Sequence, residues 1–314
     1  MSSAVTTPDA SPHHAAPDRR GLIAGLVCYT LWGFLPLLFD AAEHSGAGAF
    51  EIVAWRTIWS LPLAIALVLA MDGAASIRAV LAAPRVLLAL ALSAVLIAVN
   101  WTTYVWAVVN GHILPASLGY YINPLLNMAV GAIFFRERIH VLGLAAIGLA
   151  VVGVVLQALA LHSVPLVALV LAFSFGSYGI IRRQIQASAQ AGLFIECLFM
   201  VVPGGVYVVW LLLHGGGVFG HSLGGSLLMM TAGPATVFPL AMFAWAARRL
   251  PLSMVGFIQF ISPTLSFFVG VEDHEALTPL SLASFVFIWG GAVLFMIGAW
   301  RLSRKAAFAP ALKG

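Results

Sequence analysis

The chain has 314 residues, of which 62% are hydrophobic and 8% charged, and its formal net charge is +4. A soluble domain with so few charged residues would expose an insoluble surface, so the composition indicates a polytopic membrane protein that partners the lipid bilayer. The positive charge is spread over short loops and forms no basic stripe, so we expect no nucleic-acid partner.

Residues 1–20 are rich in Ser, Pro, Asp and His and predict a disordered cytoplasmic tail, not a cleaved signal peptide. Ten apolar segments follow, each near the roughly 20 residues that a helix needs to cross about 30 Å of hydrocarbon. Their continuous apolar character favours helices over the alternating strands of a barrel, so the predicted fold class is all-α. The predicted spans are 21–39, 50–71, 84–108, 113–135, 139–159, 164–183, 192–213, 226–247, 251–271 and 278–301.

Basic residues alternate with the spans. Fourteen of the fifteen Lys and Arg residues lie in the two tails or in every second gap between spans, and the other gaps contain none. Because basic loops are retained in the cytoplasm during insertion, this pattern predicts ten transmembrane helices with both termini cytoplasmic. Residues 302–314 are then a second cytoplasmic tail.

An internal repeat appears when the chain is shifted by 139 residues. Five unusual positions of the fourth span then fall on five of the ninth: Ser117, Tyr120, Asn123, Pro124 and Asn127 on Gly256, Gln259, Ser262, Pro263 and Ser266. The halves, 21–159 and 164–301, have five spans each, so the second half enters the membrane from the opposite face. We therefore predict inverted repeats, an arrangement used for alternating access.

The fourth span carries a polar stripe at membrane depth. Tyr120, Asn123 and Asn127 share about one third of the helix circumference, and Pro124 removes a backbone hydrogen bond beside them. Pro263 has the same relation to Gln259 and Ser262 in the ninth span. We predict a substrate cavity with Pro124 and Pro263 as hinges. The alternative is that the polar groups only join helices and the prolines are structural kinks.

The third span adds Asn100, Thr103 and Tyr104 on one helical face, with Trp101 and Trp106 beside them. Aromatic rings with amide or hydroxyl neighbours suit an amphipathic organic solute, so Asn100 and Tyr104 are predicted site residues. The alternative is an aromatic belt at the membrane interface, which is the interpretation we favour for Trp106.

Two ionisable residues lie inside spans. Arg56 is expected to contact an anionic group of the substrate; snorkelling to the headgroups and a structural ion pair are the alternatives. Glu196 could bind a cation, carry a coupling proton, or pair with Arg182 or Arg183. Proton coupling is therefore one hypothesis for this chain.

No catalytic motif stands out. The chain has no P-loop, HExxH or GxSxG sequence, so we expect neither an enzyme nor a cofactor. Cys28 and Cys197 lie in apolar segments without metal-ligand spacing, so we expect no metal site. Gly143, Gly148, Gly153, Gly290 and Gly291 indicate close helix packing, as a monomer or at a homodimer contact.

Several motifs resemble those of the RarD group in the EamA family of the drug/metabolite transporter (DMT) superfamily. They are Asn100-Trp101, residues 116–125, Phe-Arg-Glu-Arg at 135–138, Ala-Phe-Ser-Phe at 172–175, Ile195-Glu196 and residues 259–264. The resemblance covers nearly all of the membrane region. It implies a ten-helix, exporter-like carrier of amino acids, metabolites or drugs such as chloramphenicol in a bacterial cytoplasmic (inner) membrane.

The predicted function is a secondary transporter that moves a small amphipathic organic solute by alternating access. Two other classes remain open at this point. A non-transporting scaffold or sensor would use the polar stripes as interhelical contacts, and a facilitative channel would need a continuously hydrated path.

Overall fold

The computed structural model describes residues 18–134, 141–247, 249–250, 258–273 and 277–308. Every regular element in these ranges is a helix, as predicted. The thirteen helices are α1 (Arg19–Gly33), α2 (Leu35–His44), α3 (Ala49–Met71), α4 (Gly73–Leu81), α5 (Pro84–Val109), α6 (Ile113–Phe134), α7 (Val141–Leu161), α8 (Leu166–Gln184), α9 (Ala189–Leu213), α10 (Leu223–Ala232), α11 (Pro234–Ala247), α12 (Ile261–Glu272) and α13 (Pro279–Phe308).

Seven helical segments of the described chain are long and apolar enough to cross a membrane. They are Arg19–His44, Ala49–Met71, Pro84–Val109, Val141–Ala160, Ala189–Leu213, Leu223–Phe243 and Pro279–Gly298. Leu166–Arg182 and Ile261–Glu272 are shorter apolar helices. An all-α, polytopic membrane architecture is thus confirmed, whereas the count of ten spans and the sidedness of the termini stay predictions. Residues 1–17 and 309–314, most of the two predicted tails, lie outside the described residues.

Three of the predicted spans, the first, the eighth and the ninth, are interrupted. The first breaks at Phe34, where Pro36 opens the next helix, and the eighth breaks at Gly233, directly before Pro234. Proline is tolerated in the first turn of a helix because the N–H that it lacks has no helical acceptor there. At Gly233 the helix also lies against α3 so closely that a Cβ atom would overlap the backbone of Trp59.

A third interruption lies at Phe260, just before α12. Pro263 has no N–H to donate to the carbonyl of Gln259, and the next donor, the Thr264 amide, bonds to Phe260 at 3.2 Å. The break is therefore where the sequence places it, although a hinge motion about it stays a prediction.

The glycines of α7 and α13 bring these two helices together. A Cβ on Gly153 would overlap Ile288 and Ser284, and one on Gly291 would crowd the carbonyl of Ala146. Gln157 also accepts a hydrogen bond from Ser284 at 2.8 Å. At Gly153 and Gly291, the small residues thus serve contacts within one chain.

The most extensive helix contacts follow a simple exchange rule, whereas smaller ones such as α3 with α5 do not. In the 139-residue repeat the counterparts of α1, α3, α5, α6 and α7 are α8, α9, α11, α12 and α13. When each helix is exchanged for its counterpart, the contact between α1 and α11 becomes the contact between α8 and α5. The contact between α6 and α8 becomes that between α12 and α1, and the pairs α3 with α9, α6 with α12 and α7 with α13 map onto themselves. Tyr121 and Phe260, equivalent under the 139-residue shift, stack with ring centroids 6.1 Å apart.

Candidate functional site

Arg56 lies in the second turn of α3, and its side chain is turned into the protein. The residue is 3% exposed. Its Nε donates a hydrogen bond to Thr236 Oγ1 of α11 at 2.6 Å, and that hydroxyl donates to the Ala232 carbonyl at 2.9 Å. Snorkelling to the membrane surface is therefore not what this side chain does.

Aromatic rings surround the Arg56 guanidinium group. Its central carbon lies 4.2 Å from the Trp101 ring centroid and 5.4 Å from that of Phe39. A cation over an aromatic face is attracted by the ring quadrupole, more strongly when the pair is shielded from water. These rings hold the guanidinium in place without neutralising its charge.

Arg56 has no carboxylate partner in the described part of the chain. Glu51, the nearest acid in sequence, instead accepts hydrogen bonds from the backbone amides of Val218 at 2.7 Å and Phe219 at 3.3 Å. The Nη1 atom of Arg56 is buried and has no hydrogen-bond partner among the described residues. An ion pair with Glu51 is thus excluded, and one donor remains available for a ligand.

Asn100 and Tyr104 of α5 lie beside Arg56's aromatic neighbours. Tyr104 meets Phe39 and Tyr120 edge to face, at centroid distances of 6.1 and 5.4 Å. The buried Asn100 amide accepts from the Tyr120 hydroxyl at 2.9 Å and donates to the Leu171 carbonyl at 3.1 Å. It also donates to Ser174 at 3.0 Å. Asn100 therefore fixes Tyr120 and joins α5, α6 and α8.

We call this group the Arg56 chamber. It comprises Phe39, Arg56, Trp101, Tyr104, Tyr120 and Thr236, from both halves of the chain. Thr103, predicted on the same face as Tyr104, lies apart from it in a surface groove with Trp106 and Phe50.

Asn123 differs from Asn100 in its hydrogen bonding. Its side chain is fully buried, yet neither its amide nitrogen nor its amide oxygen has a hydrogen-bond partner among the described residues. A buried polar group left unpaired costs about 1 to 3 kcal/mol, so such a group in a native protein calls for a ligand or water. Pro124 and Asn127 lie on α6, but their side chains are outside the described part of the structure.

The predicted residues next to α12 are partly buried. Gln259 and Ser262 flank Phe260, in the region where Tyr121 of α6 bonds Thr264 at 2.5 Å. Within the described residues, no hydrogen bond joins Gln259 or Ser262 to the Arg56 chamber. Their place in the site stays a prediction, while the contact between their helix and α6 is present.

Glu196 of α9 is the acceptor of a second buried cluster and is 1% exposed. Its carboxylate accepts hydrogen bonds from Ser93 of α5 and from the Tyr178 hydroxyl, the latter at 3.2 Å. Arg182 of α8 lies 3.6 Å away through Nε and also donates to the Ala189 carbonyl. Of the partners that the sequence offers, Arg182 is the one that pairs; the Arg183 side chain is outside the described part.

Aromatic contacts connect the two clusters. Tyr120 of the chamber meets Phe175 at 6.0 Å, and Phe175 meets Tyr178, a donor to Glu196, at 6.0 Å. Trp101 packs into the same apolar cluster as Phe175 and Tyr178. The two clusters are therefore connected by a continuous series of packed aromatic rings.

A group with metal-ligand atoms lies away from both clusters, at the end of α2. Side-chain atoms of Asp40, Glu43 and His44 lie within 4.8 Å of one another. His44 bonds the backbone carbonyl of Asp40 at 2.9 Å, and both Glu43 and His44 are exposed. Local helix geometry accounts for this group.

Several of these residues were not selected from the sequence. Phe39, Thr236, Ser93 and Tyr178 lie on four different segments, and each has an ordinary residue type for an apolar helix. Only the buried charges could have pointed to them, since Arg56 and Glu196 each require neighbours that donate, accept or stack.

Comparison with known proteins agrees with this architecture. The model of the EamA-like transporter family matches residues 19–159. A protein from Pseudomonas aeruginosa named as an uncharacterized transporter is 40% identical over 91% of this chain and 96% of its own. Protein RarD of Streptomyces exfoliatus is 38% identical, covering 92% of both chains.

A protein of known crystal structure superposes with a TM-score of 0.61 over 90% of this chain and 98% of its own, at 18% identity. This likeness shows a shared fold. The two sequence relatives span almost the full length of the chain and place it in the bacterial inner membrane. The chain is thus a multi-pass membrane transporter that belongs to the EamA-like transporter family, in its RarD group.

Proposed function

We propose that the protein is a secondary carrier that moves a small amphipathic organic solute across the inner membrane by alternating access. The observation that carries the proposal is Arg56, a fully enclosed cation with a free donor and no acidic partner in the described chain. Burying an ion without a counter-charge costs free energy, and the binding of a transported solute would offset that cost.

Two inverted repeats of five spans, 21–159 and 164–301, underlie the proposed mechanism. The exchange rule of the helix contacts supports a two-fold relation between the halves, as does the stacking of the equivalent residues Tyr121 and Phe260. The Arg56 chamber takes its residues from both halves. Rocking of one half against the other would then expose the chamber to each side in turn.

In this proposal the solute lies against Arg56, Tyr104, Tyr120 and Asn123. Asn100 orients Tyr120, and Asn127, Gln259 and Ser262 extend the site along α6 and around the start of α12. The helix before α12 is interrupted at Phe260, three residues ahead of Pro263, whereas α6 is continuous through Pro124. In the proposed cycle both helices bend at these prolines. Amino acids, other metabolites and drugs such as chloramphenicol are the candidate solutes.

Arg56 gives the direct test, by counterflow in proteoliposomes loaded with a pool of amino acids, small peptides, chloramphenicol and the monocarboxylate 3-phenylpropanoate. Arg56→Gln should lower the apparent affinity for exchanged solutes about 10- to 100-fold, because a hydrogen bond to a charged group contributes about 1.5 to 3 kcal/mol. The matched control is Arg249→Gln. Arg249 also stacks on a tryptophan, Trp245 at 3.9 Å, but it is more exposed and pairs with Asp18.

The control should exchange solutes like the wild type. Equal exchange by Arg56→Gln and the wild type would remove Arg56 from the site. Flux that is unaffected by solute on the far side would instead indicate a channel, and no exchange of any pool member would favour a scaffold or sensor.

Asn123 separates a binding site from a structural contact. Replacing an unpaired buried amide with an apolar group of similar size should stabilise the empty protein, so we expect Asn123→Leu to raise its melting temperature while slowing counterflow. Asn100→Leu is the matched control and should lower the melting temperature, because it strips partners from a bonded amide. Destabilisation by Asn123→Leu would show that its amide is a structural link.

Glu196 is proposed as the group that couples transport to protons. During the cycle its carboxylate would leave Arg182, Ser93 and Tyr178 and take up a proton. Glu196→Gln cannot take up a proton, so counterflow should persist while uptake loses its dependence on an imposed pH gradient. Glu51→Gln is the matched control, since Glu51 is also buried but bonds to backbone amides. If Glu196→Gln kept the wild-type dependence on pH and on the pH gradient, Glu196 would not be the coupling group.

A further inference from the structure

The Arg56 chamber carries one positive charge that nothing in the described chain neutralises. Glu51 and Glu196 are the two deeply buried acids of the described residues. Glu51 is engaged by the amides of Val218 and Phe219, and Glu196 by Ser93, Tyr178 and Arg182. Neither is a partner of Arg56, so the described residues offer its guanidinium group no counter-charge.

We infer that the carried solute is an organic monoanion with a carboxylate head and an apolar body, bound through the free Nη1 edge of Arg56. This inference rests on the proposed carrier function and narrows its substrate class. A single buried guanidinium balances one negative charge. A dianion such as a phosphate monoester would leave a second charge uncompensated in a medium of low dielectric constant.

The geometry of the guanidinium favours a carboxylate. Nε is already bound to Thr236 and Trp101 packs against the group, so Nη1 is the donor nitrogen without a partner among the described residues. A carboxylate oxygen accepts a strong hydrogen bond from such a charged donor. The surrounding rings of Phe39, Tyr104 and Tyr120 offer apolar surface to the rest of the solute.

The acceptors of the core disfavour solutes with an ammonium group. An ammonium brings three N–H donors, and the buried carboxylates already receive hydrogen bonds from other groups. The Asn100 oxygen accepts from Tyr120, whereas the Asn123 oxygen is without a partner in the described chain. The one free amide oxygen among the described residues does not satisfy three charged donors. For a zwitterionic amino acid or an amine, the free energy lost on dehydrating the ammonium group would therefore exceed the free energy gained from hydrogen bonds in the site.

A set of ligands with one body and different heads tests this inference. Binding to the purified full chain in detergent would be measured by isothermal titration calorimetry at pH 7.5 with 3-phenylpropanoate, 3-phenylpropanamide, phenylalanine, 2-phenylethylamine and 2-phenylethyl phosphate. Hexanoate and hexanamide repeat the comparison with an alkyl body. Binding does not depend on passive permeation of the acids through lipid.

We expect at least one carboxylate to bind tenfold or more tightly than its amide, and more tightly than the zwitterion, the amine and the phosphate. Arg56→Gln should abolish this preference. Arg56→Lys, which keeps the charge but loses the planar fork, should retain it at lower affinity. Arg249→Gln should match the wild type.

Equal or tighter binding of a neutral, zwitterionic, cationic or dianionic ligand would overturn the monoanion assignment, as would the absence of carboxylate binding. The carrier proposal is judged separately by counterflow of the solute pool. A protein that exchanges pool solutes but does not prefer carboxylates loses this inference alone, and one that exchanges nothing loses both.

Discussion

The burial of the Arg56 guanidinium without an acidic partner is the constraint on which the rest of the site depends. A lone cation in this position costs free energy unless its donors and its charge are accommodated. Thr236 takes one donor, and Trp101 and Phe39 supply aromatic faces. These contacts connect α3 with α11, α5 and α2, so the Arg56 side chain contacts both halves of the chain.

The two buried carboxylates are accommodated differently. Glu51 is held by backbone amides of the loop between α9 and α10, and Trp55 stacks on Phe219 of the same loop at 3.9 Å. Glu196 is held by side chains of α5 and α8. One acid thus anchors a loop and the other joins helices, so only the second lies between elements that alternating access would separate. This difference is why we propose the coupling role for Glu196.

The all-helical membrane fold followed from the sequence, because the length of the apolar segments is dictated directly by the bilayer. The breaks at Phe34 and Gly233 did not follow, since prolines also lie inside uninterrupted helices, such as Pro62 in α3 and Pro203 in α9, and the close approach of Gly233 to Trp59 is a tertiary contact. Arg56, Asn100 and Tyr104 were identifiable as unusual polar residues at membrane depth. Thr236 and Phe39 were not, because an apolar helix carries many such residues and proximity alone distinguishes these two.

The most direct measurement asks whether the transported solute occupies the space beside Arg56. The variant Thr236→Cys would be made in a chain in which Cys28 and Cys197 are replaced by alanine. Its new thiol would be labelled in proteoliposomes by an anionic methanethiosulfonate reagent. We expect labelling to be slowed by the exchanged solute at the concentrations that half-saturate its counterflow. Labelling at the same rate with and without saturating solute would contradict a substrate site in the Arg56 chamber.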